Sequence, residues 1–172
     1  MIIMTTRFNE KTWNKNTDYR IRTGKACVYC SPSPLAVPLN TTMFVIEMNN
    51  STNKIEGIGA IRNVCRMDIH YGVYDGDDQG FNRYVFQSDY HLNRDEIIEQ
   101  SHGALVEILD EILFIGKAHY KRGRSITAVG NKFYHKWQTL DPILMTIGID
   151  IIERNLVEMI REMFRRKYVN IK

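Results

Sequence analysis

Two apolar runs, Met43-Phe-Val-Ile-Glu-Met48 and Ile55-Glu-Gly-Ile-Gly-Ala-Ile61, flank the polar stretch Asn49-Asn-Ser-Thr-Asn-Lys54. Each run is too short for an ordinary helix, is rich in β-branched residues and is bounded by turn-forming side chains, the pattern of a strand. Together they predict a β-hairpin whose loop is longer than the tight two-residue type. Gly57 and Gly59 are two apart, so they share one face of the second strand. Two missing side chains on one face allow close approach by a neighbouring element or a ligand.

The remaining chain arranges itself around that hairpin. The first thirty residues are polar and basic, with Trp13, Tyr19 and Tyr29 among Arg7, Lys11, Lys15, Arg20, Arg22 and Lys25. Ala26–Cys30 reads as a short strand that ends at Pro32, Pro34 and Pro38, which cannot donate to a ladder. Residues 75–80 form a loop and Asn82–Tyr90 a further strand. Asn93 stands where a helix N-cap belongs, with Glu96 three residues on as in a capping box. Ile97, Ile98, Leu105, Ile108, Leu109 and Ile112 make a helical stripe that Gly103 divides and Gly116 stops. Arg124–Val129 is a brief strand, and an amphipathic helix runs from about Pro142 to Tyr168 through Ile149, Ile152, Leu156, Met159, Ile160 and Met163. Strands first and helices after predict an α+β fold: a small, partly open β-barrel or mixed sheet flanked by helices, with the amphipathic helix last. The reading is of a single domain, β-rich over 1–92 and helical over 93–172, with a basic segment at 116–136.

A chain of 172 residues, 44% of them apolar and 25% charged, can bury a core of its own. The longest apolar stretches, Ala104–Ile115 and Ile143–Ile152, are too short to span a bilayer, so no membrane partner is expected. The N-terminal residues lack the apolar stretch of a signal peptide, and three cysteines are an odd count. Both point to reduced thiols and an intracellular, cytoplasmic location.

Motifs for catalysis or cofactor binding do not emerge. Cys27-Val-Tyr-Cys30 is a lone CxxC on an expected strand, where positions i and i+3 face opposite ways, whereas zinc needs a tetrahedral set. Cys65 and His70 are the residues that would have to complete such a set; buried free thiols are the plainer reading. Asp75, Asp77, Gln79 and Gly80 resemble the start of a calcium loop, but Phe86 stands where the bidentate glutamate belongs. His70, His91, His102, His119 and His135 form no HExxH, and no Gly-x-Ser-x-Gly elbow is present. Asp110 and Glu111 read as solvated carboxylates of an acidic helix. No Gly-rich phosphate loop follows a strand, and no cofactor is implied.

Charge distribution is more informative than the net charge of +3. Arg94–Glu111 carries Asp95, Glu96, Glu99, Glu107, Asp110 and Glu111; the following stretch carries Lys117, Lys121, Arg122, Arg124, Lys132 and Lys136 without an acid. Cations at Lys117, Lys121, Arg122 and Arg124 suit phosphates, with Gly123 permitting close backbone approach and Ser125 or Thr127 donating to phosphate oxygens. His119 lies within the same cluster. Tyr120, and beyond it Phe133, Tyr134 and Trp137, offer rings for unpaired bases, although Trp137 also suits the core. The competing reading is a solvated basic loop whose aromatics complete the core.

The hairpin Met43-Phe-Val-Ile-Glu-Met48 with Lys54-Ile-Glu-Gly-Ile-Gly-Ala-Ile61, together with Lys11-Thr-Trp13 upstream and the strand before it, resembles the PUA-like superfamily, which includes EVE, ASCH and YTH domains. The likeness covers at most residues 7 to 90. It implies a small barrel that holds RNA or a modified base without turning it over, with Trp13, Tyr29 and Tyr84 as candidates for an aromatic enclosure. The ASCH motif Gly-x-Lys-x-x-Glu-x-Arg is absent. Phe44–Ile55, Phe81-Asn-Arg-Tyr84 and His119-Tyr-Lys-Arg-Gly123 also resemble uncharacterised proteins of large DNA viruses of eukaryotes, which would make the location a host cytoplasm. The leading expectation is therefore a non-catalytic binder of RNA or single-stranded nucleic acid, using Lys117, His119, Tyr120, Lys121, Arg122 and Arg124 with Trp13 and Tyr84. One alternative is a viral structural or protein–protein interaction subunit that associates with a partner or itself through Met159, Met163 and Phe164. The other is a cryptic nucleic-acid-processing enzyme.

Overall fold

The computed structural model of the chain describes residues 1–101, 103–123, 125–139 and 156–168. His102, Arg124 and the 142–155 part of the expected C-terminal helix, with Ile149 and Ile152, lie outside the described residues. The elements in chain order are β1 (Ile2–Phe8), α1 (Glu10–Thr23), β2 (Cys27–Ser31), β3 (Thr42–Asn49), β4 (Lys54–Arg62), a 3-10 helix (Gly76–Arg83), β5 (Tyr84–Ser88) and β6 (His91–Asn93). They are followed by α2 (Arg94–Ser101), α3 (Ala104–Phe114), β7 (Thr127–Ala128), α4 (Asn131–Thr139) and α5 (Leu156–Lys167).

The fold is α+β, built on a mixed five-stranded sheet in the order β6-β4-β3-β1-β7, with β2 and β5 forming a separate two-stranded sheet. The described strands close no barrel. The expected hairpin is β3–β4, antiparallel, with Glu47 opposite Gly57 and Val45 opposite Gly59. β1 pairs with β3 in parallel, from Ile2–Met43 to Phe8–Asn49, and β7 caps the far edge antiparallel to β1.

β3 is covered on both faces, which is why it reads as a nearly unbroken apolar run. Phe44, Ile46 and Met48, with Ile58 of β4 and Leu92 of β6, pack on Leu105, Leu109 and Ile112 of α3, Phe133 of α4, and Ile160 and Phe164 of α5. Met43 and Val45 pack the other way, with Met4 and Phe8 of β1, onto Cys27 and Tyr29 of β2 and Phe86 of β5. Helices α2–α5 thus lie on one side of the main sheet, and α1 with the small sheet on the other. The Asn93 box forms as expected: the Asn93 N–H donates to Glu96 Oε2 and the Glu96 N–H to Asn93 Oδ1, both at 2.9 Å. Gly103, at φ 83°, separates α2 from α3.

Other expectations need correction. The N-terminal thirty residues hold an inner strand and a helix of fourteen residues that the sequence pattern does not announce. The buried positions of α1 are Asn16 and Tyr19, so it has no apolar stripe to read, and its start is fixed by a capping box between Asn9 and Thr12. The strand expected over Asn82–Tyr90 is limited to Tyr84–Ser88, because Asn82 is drawn into the preceding turn, where its amide pairs with the Tyr74 peptide (3.0 and 2.7 Å). Asp110 is no solvated carboxylate: it accepts from the Ile55 N–H at 2.7 Å and from Arg94 Nη2 at 2.7 Å, clasping the helical layer to the start of β4. Met163 and Phe164 are buried in the chain's own core, with Phe164 stacked on Phe44 at 5.3 Å, and Met159 packs against the same cluster.

The face bearing Gly57 and Gly59 is approached closely by side chains of the protein itself. A Cβ on Gly59 would lie 2.0 Å from the Tyr29 hydroxyl, and one on Gly57 2.6 Å from His91 Nε2. Both groups reach past the bare backbone to Glu47, which is fully buried. Arg20 Nη2 donates to Glu47 Oε1 at 2.6 Å, the Tyr29 hydroxyl donates to the same oxygen at 2.7 Å, and His91 Nε2 lies 3.0 Å from Oε2. Burial by itself would raise the Glu47 pKa, but Arg20 and then His91 hold the carboxyl well below the usual carboxylate range. The Arg20 guanidinium also lies over the rings of Trp13 (5.5 Å) and Tyr29 (5.8 Å). Desolvation would lower its pKa, but Glu47 more than reverses this.

Removing one partner from such a buried pair leaves an uncompensated charge, so Glu47→Gln should cost about 3–5 kcal/mol in urea denaturation. The native carboxyl titrates below the unfolded value of about 4.3, so its contribution is complete above that pH and lost as pH falls further. The stability gap between wild type and Glu47→Gln should therefore narrow below about pH 4.3. Gly59→Ala should destabilise by about 1–3 kcal/mol, because Tyr29 is enclosed and cannot retreat from the added methyl.

Candidate nucleic-acid interface

The parallel pairing of β1 and β3 brings their carboxyl ends to one edge of the sheet, where ligands commonly enter open α/β sheets. A cavity of about 390 Å³ opens there. Thr6, Arg7 and Phe8 from the end of β1, Asn9 and Thr12 from the start of α1, and Asn50 just after β3 form one part of its wall. Tyr74 comes from just before the 3-10 helix, Asp78 and Phe81 from that helix, and Gly123 and Ser125 from the basic segment. The lining thus combines aromatic rings, amides, hydroxyls and one charge of each sign.

Arg7 ties the basic segment to this cavity. Its Nε donates to the Tyr120 carbonyl at 2.6 Å, and its Nη1 donates to Thr127 Oγ1 at 2.8 Å and reaches the Ser125 carbonyl at 3.5 Å. Nη2 makes no hydrogen bond among the described residues, so only its N–H groups are left for an incoming acceptor. Asn50 adds a second tie, its Nδ2 donating to the Lys121 carbonyl at 3.1 Å. Gly123 packs beside Arg7 at φ 118°, a backbone conformation that side chains rarely adopt. The N-terminus of α1 is largely self-satisfied: the Thr12 N–H goes to Asn9 Oδ1 and the Glu10 N–H to Ser51 Oγ.

The expected site residues divide into groups. Lys117, His119, Tyr120, Lys121 and Arg122 lie together on the loop between α3 and β7, and Arg124 lies outside the described residues. Lys117 and Arg122 are exposed and Lys121 is half-buried; among the described residues none of the three forms an ion pair. His119 Nδ1 accepts from the Lys121 N–H at 3.2 Å, which shapes the turn. Tyr120 is half-buried edge-on against Phe133 at 6.1 Å, and burial raises its pKa. Trp13 packs edge-on against Phe8 at 5.2 Å beneath Arg20, while Tyr84 is half-buried under Arg83 at 5.6 Å.

Some members of the acid-free stretch serve the fold. Phe133 and Trp137 are buried in the core, whereas Tyr134 remains exposed. Lys136 donates through Nζ to the carbonyls of Ile112 and Ile115 at 2.9 and 3.1 Å, satisfying the C-terminal end of α3. Cys27 and Cys30 are buried free thiols on β2; burial pushes the Cys27 thiol up to about 12 and raises Cys30 as well. Among the described residues, no group of three or more His, Cys, Asp or Glu side chains could hold a metal ion, and no helix is long and apolar enough to cross a membrane.

Arg7, Asn50, Tyr74 and Phe81 are the cavity residues that sequence reading passes over as candidates. An arginine within a β-branched stretch, Met4-Thr-Thr-Arg-Phe8, is the signal that could have found the first of them. No family model, no curated protein and no solved structure matches this chain.

Arg7→Ala removes the hydrogen bonds to Tyr120, Ser125 and Thr127, which hold the 120–127 segment to the sheet together with Asn50 and the β1–β7 pairing. Backbone amides of Tyr120–Thr127 should exchange markedly faster, with a global loss of about 1–3 kcal/mol for the freed carbonyls. Hydrogen exchange read by mass spectrometry checks both the location and the size of the effect.

Proposed function

We propose that the chain binds RNA or another single-stranded nucleic acid without chemical turnover, at the cavity beside the ends of β1 and β3. The observation that carries this reading is an acid-free segment whose Gly123 and Ser125 line the cavity, whose Lys117, Lys121 and Arg122 form no ion pair among the described residues, and whose backbone is held by a cavity arginine with Nη2 unbonded among those residues. Phosphates would lie along Lys117, Lys121 and Arg122. A base would enter the cavity toward Phe81 and Tyr74, which fits its mixed aromatic and amide lining. Tyr120, Trp13 and Tyr84 would contribute their exposed edges, since each is partly packed.

A PUA-like relationship is part of the same proposal. It draws support from the β3–β4 hairpin and from the small β2–β5 sheet lying over it, which would correspond to a barrel left open. An intracellular, cytoplasmic site of action is proposed as well, on the odd count of three cysteines, and the host cytoplasm if the viral likeness holds.

A second reading, an interaction subunit, is favoured by one observation away from α5. Leu39, Val64 and Met67 are 80%, 53% and 57% exposed on two loops that Asn63 joins through the Val37 carbonyl and the backbone of Asn40 and Thr41. Light scattering that gives a concentration-independent monomer would count against self-association.

Binding to a labelled single-stranded RNA should weaken steeply with salt. Lys121→Glu/Arg122→Glu should weaken all sequences alike while lowering the salt slope by about 0.7 for each phosphate that is no longer neutralised. Fluorescence anisotropy at two salt concentrations measures both quantities. Salt-independent binding, or none at low salt, would refute the proposal.

A further inference from the structure

Residues 75–81 form an excursion that reaches the cavity through Asp78 and Phe81 and a second cavity through Asp75, Gln79 and Gly80, beside Lys15; it is closed at its base where the Asn82 amide pairs with both polar groups of the Tyr74 peptide. Its sequence, Asp75-Gly-Asp-Asp-Gln-Gly-Phe81, carries acids and no cation before Arg83. The excursion is fastened to α1 by two ion pairs, Asp75–Lys15 and Asp78–Lys11, the latter at 3.6 Å. Lys11 and Lys15 are four apart and so share one face of the helix. Asp75 is 78% exposed and Lys11 63% exposed, so both pairs are of the weak, salt-screened kind. Asp78 and Phe81 also line the cavity together with Arg7, Gly123 and Ser125. An acidic segment therefore shares a cavity with the basic one through Asp78, and its carboxylates hold two lysines of α1 as a phosphate backbone would.

We propose that residues 75–80 are an electrostatic flap that competes with nucleic acid for Lys11 and Lys15, and that a bound strand lifts it and extends its phosphate track from the 117–122 loop onto α1. The inference rests on the nucleic-acid reading above. Its physical basis is exchange: each carboxylate–lysine pair that opens is replaced by a phosphate–lysine pair, so the flap lowers affinity for any polyanion and sets a threshold against weak ones. Phe81 and Tyr74 would remain at the cavity, since Tyr74 is anchored below the flap in a cluster with Tyr19, Val28 and Val85.

The test compares wild type, Asp75→Asn/Asp78→Asn and Glu99→Gln/Glu107→Gln in binding a fluorescein-labelled oligouridylate of about 16 nucleotides. The last variant removes the same charge from exposed positions of α2 and α3, on the opposite side of the sheet. The flap variant should bind about 3- to 30-fold tighter than wild type, with a salt slope steeper by up to about 1.4 from two lysines released to phosphate. The control should change affinity less than about 2-fold, given screening over such distances. In wild type, oligouridylate should speed amide exchange over 75–80 while slowing it over 117–123. Equal tightening in both variants, or no tightening in the flap variant, would overturn the flap and leave the nucleic-acid reading standing. No binding by any of the three proteins at low salt would overturn both.

Discussion

A carboxylate in the middle of an apolar strand sets the terms for the rest of this structure. Glu47 is enclosed between the main sheet and the layer formed by α1 and β2, where a lone charge would be prohibitive. Three elements therefore have to deliver a donor to it: α1 brings Arg20, β2 brings Tyr29 and β6 brings His91. The bare backbone at Gly57 and Gly59 provides the space. That requirement fixes the angle of α1 on the sheet and the distance at which the small sheet docks, and it positions Trp13 under the same guanidinium. Apolar packing alone would leave both less determined, because a greasy interface tolerates sliding and a hydrogen-bonded ion pair does not.

The cavity is a consequence of that docking. α1 starts directly after β1, so once Arg20 anchors its body, its first turn has to sit beside the ends of β1 and β3. The loop before β5 then closes one side and the segment after α3 the other. Arg7 and Asn50 make the second closure specific, by holding backbone carbonyls and leaving the cationic side chains outward. Two side chains bonded to its backbone hold this segment in one place. That fixed placement is the strongest physical reason to read the segment as a functional surface.

Much of the β3–β4 hairpin, the Asn93 cap and the break at Gly103 could be read from residue order, because each depends on neighbours within a few positions. β1 and α1 could not. A polar helix whose buried contacts are Asn16 and Tyr19 has no periodic signature, and Thr5 and Thr6 are polar by type although buried between paired strands. The basic segment was visible as a charge pattern, yet its pattern could not separate Lys136, which caps α3, from Lys121 and Arg122, which do not serve the core. The Glu47 cluster was foreshadowed only by one acid in an apolar run facing two glycines.

Sequence by itself determined that this chain would build an α+β fold around a hairpin, that one face of the second strand would be approached closely, and that positive charge would gather between α3 and α4. Those properties follow from side-chain periodicity, missing Cβ atoms and local composition. Tertiary structure alone decided what makes the approach at Gly57 and Gly59, why Arg7 faces the 120–127 segment, and that an acidic excursion reaches the same cavity as the basic segment through Asp78. Such pairings join residues up to 120 positions apart, as Arg7 and Thr127 show. They are set by how charged and hydrogen-bonding groups must be satisfied once the layers close, which no local pattern records.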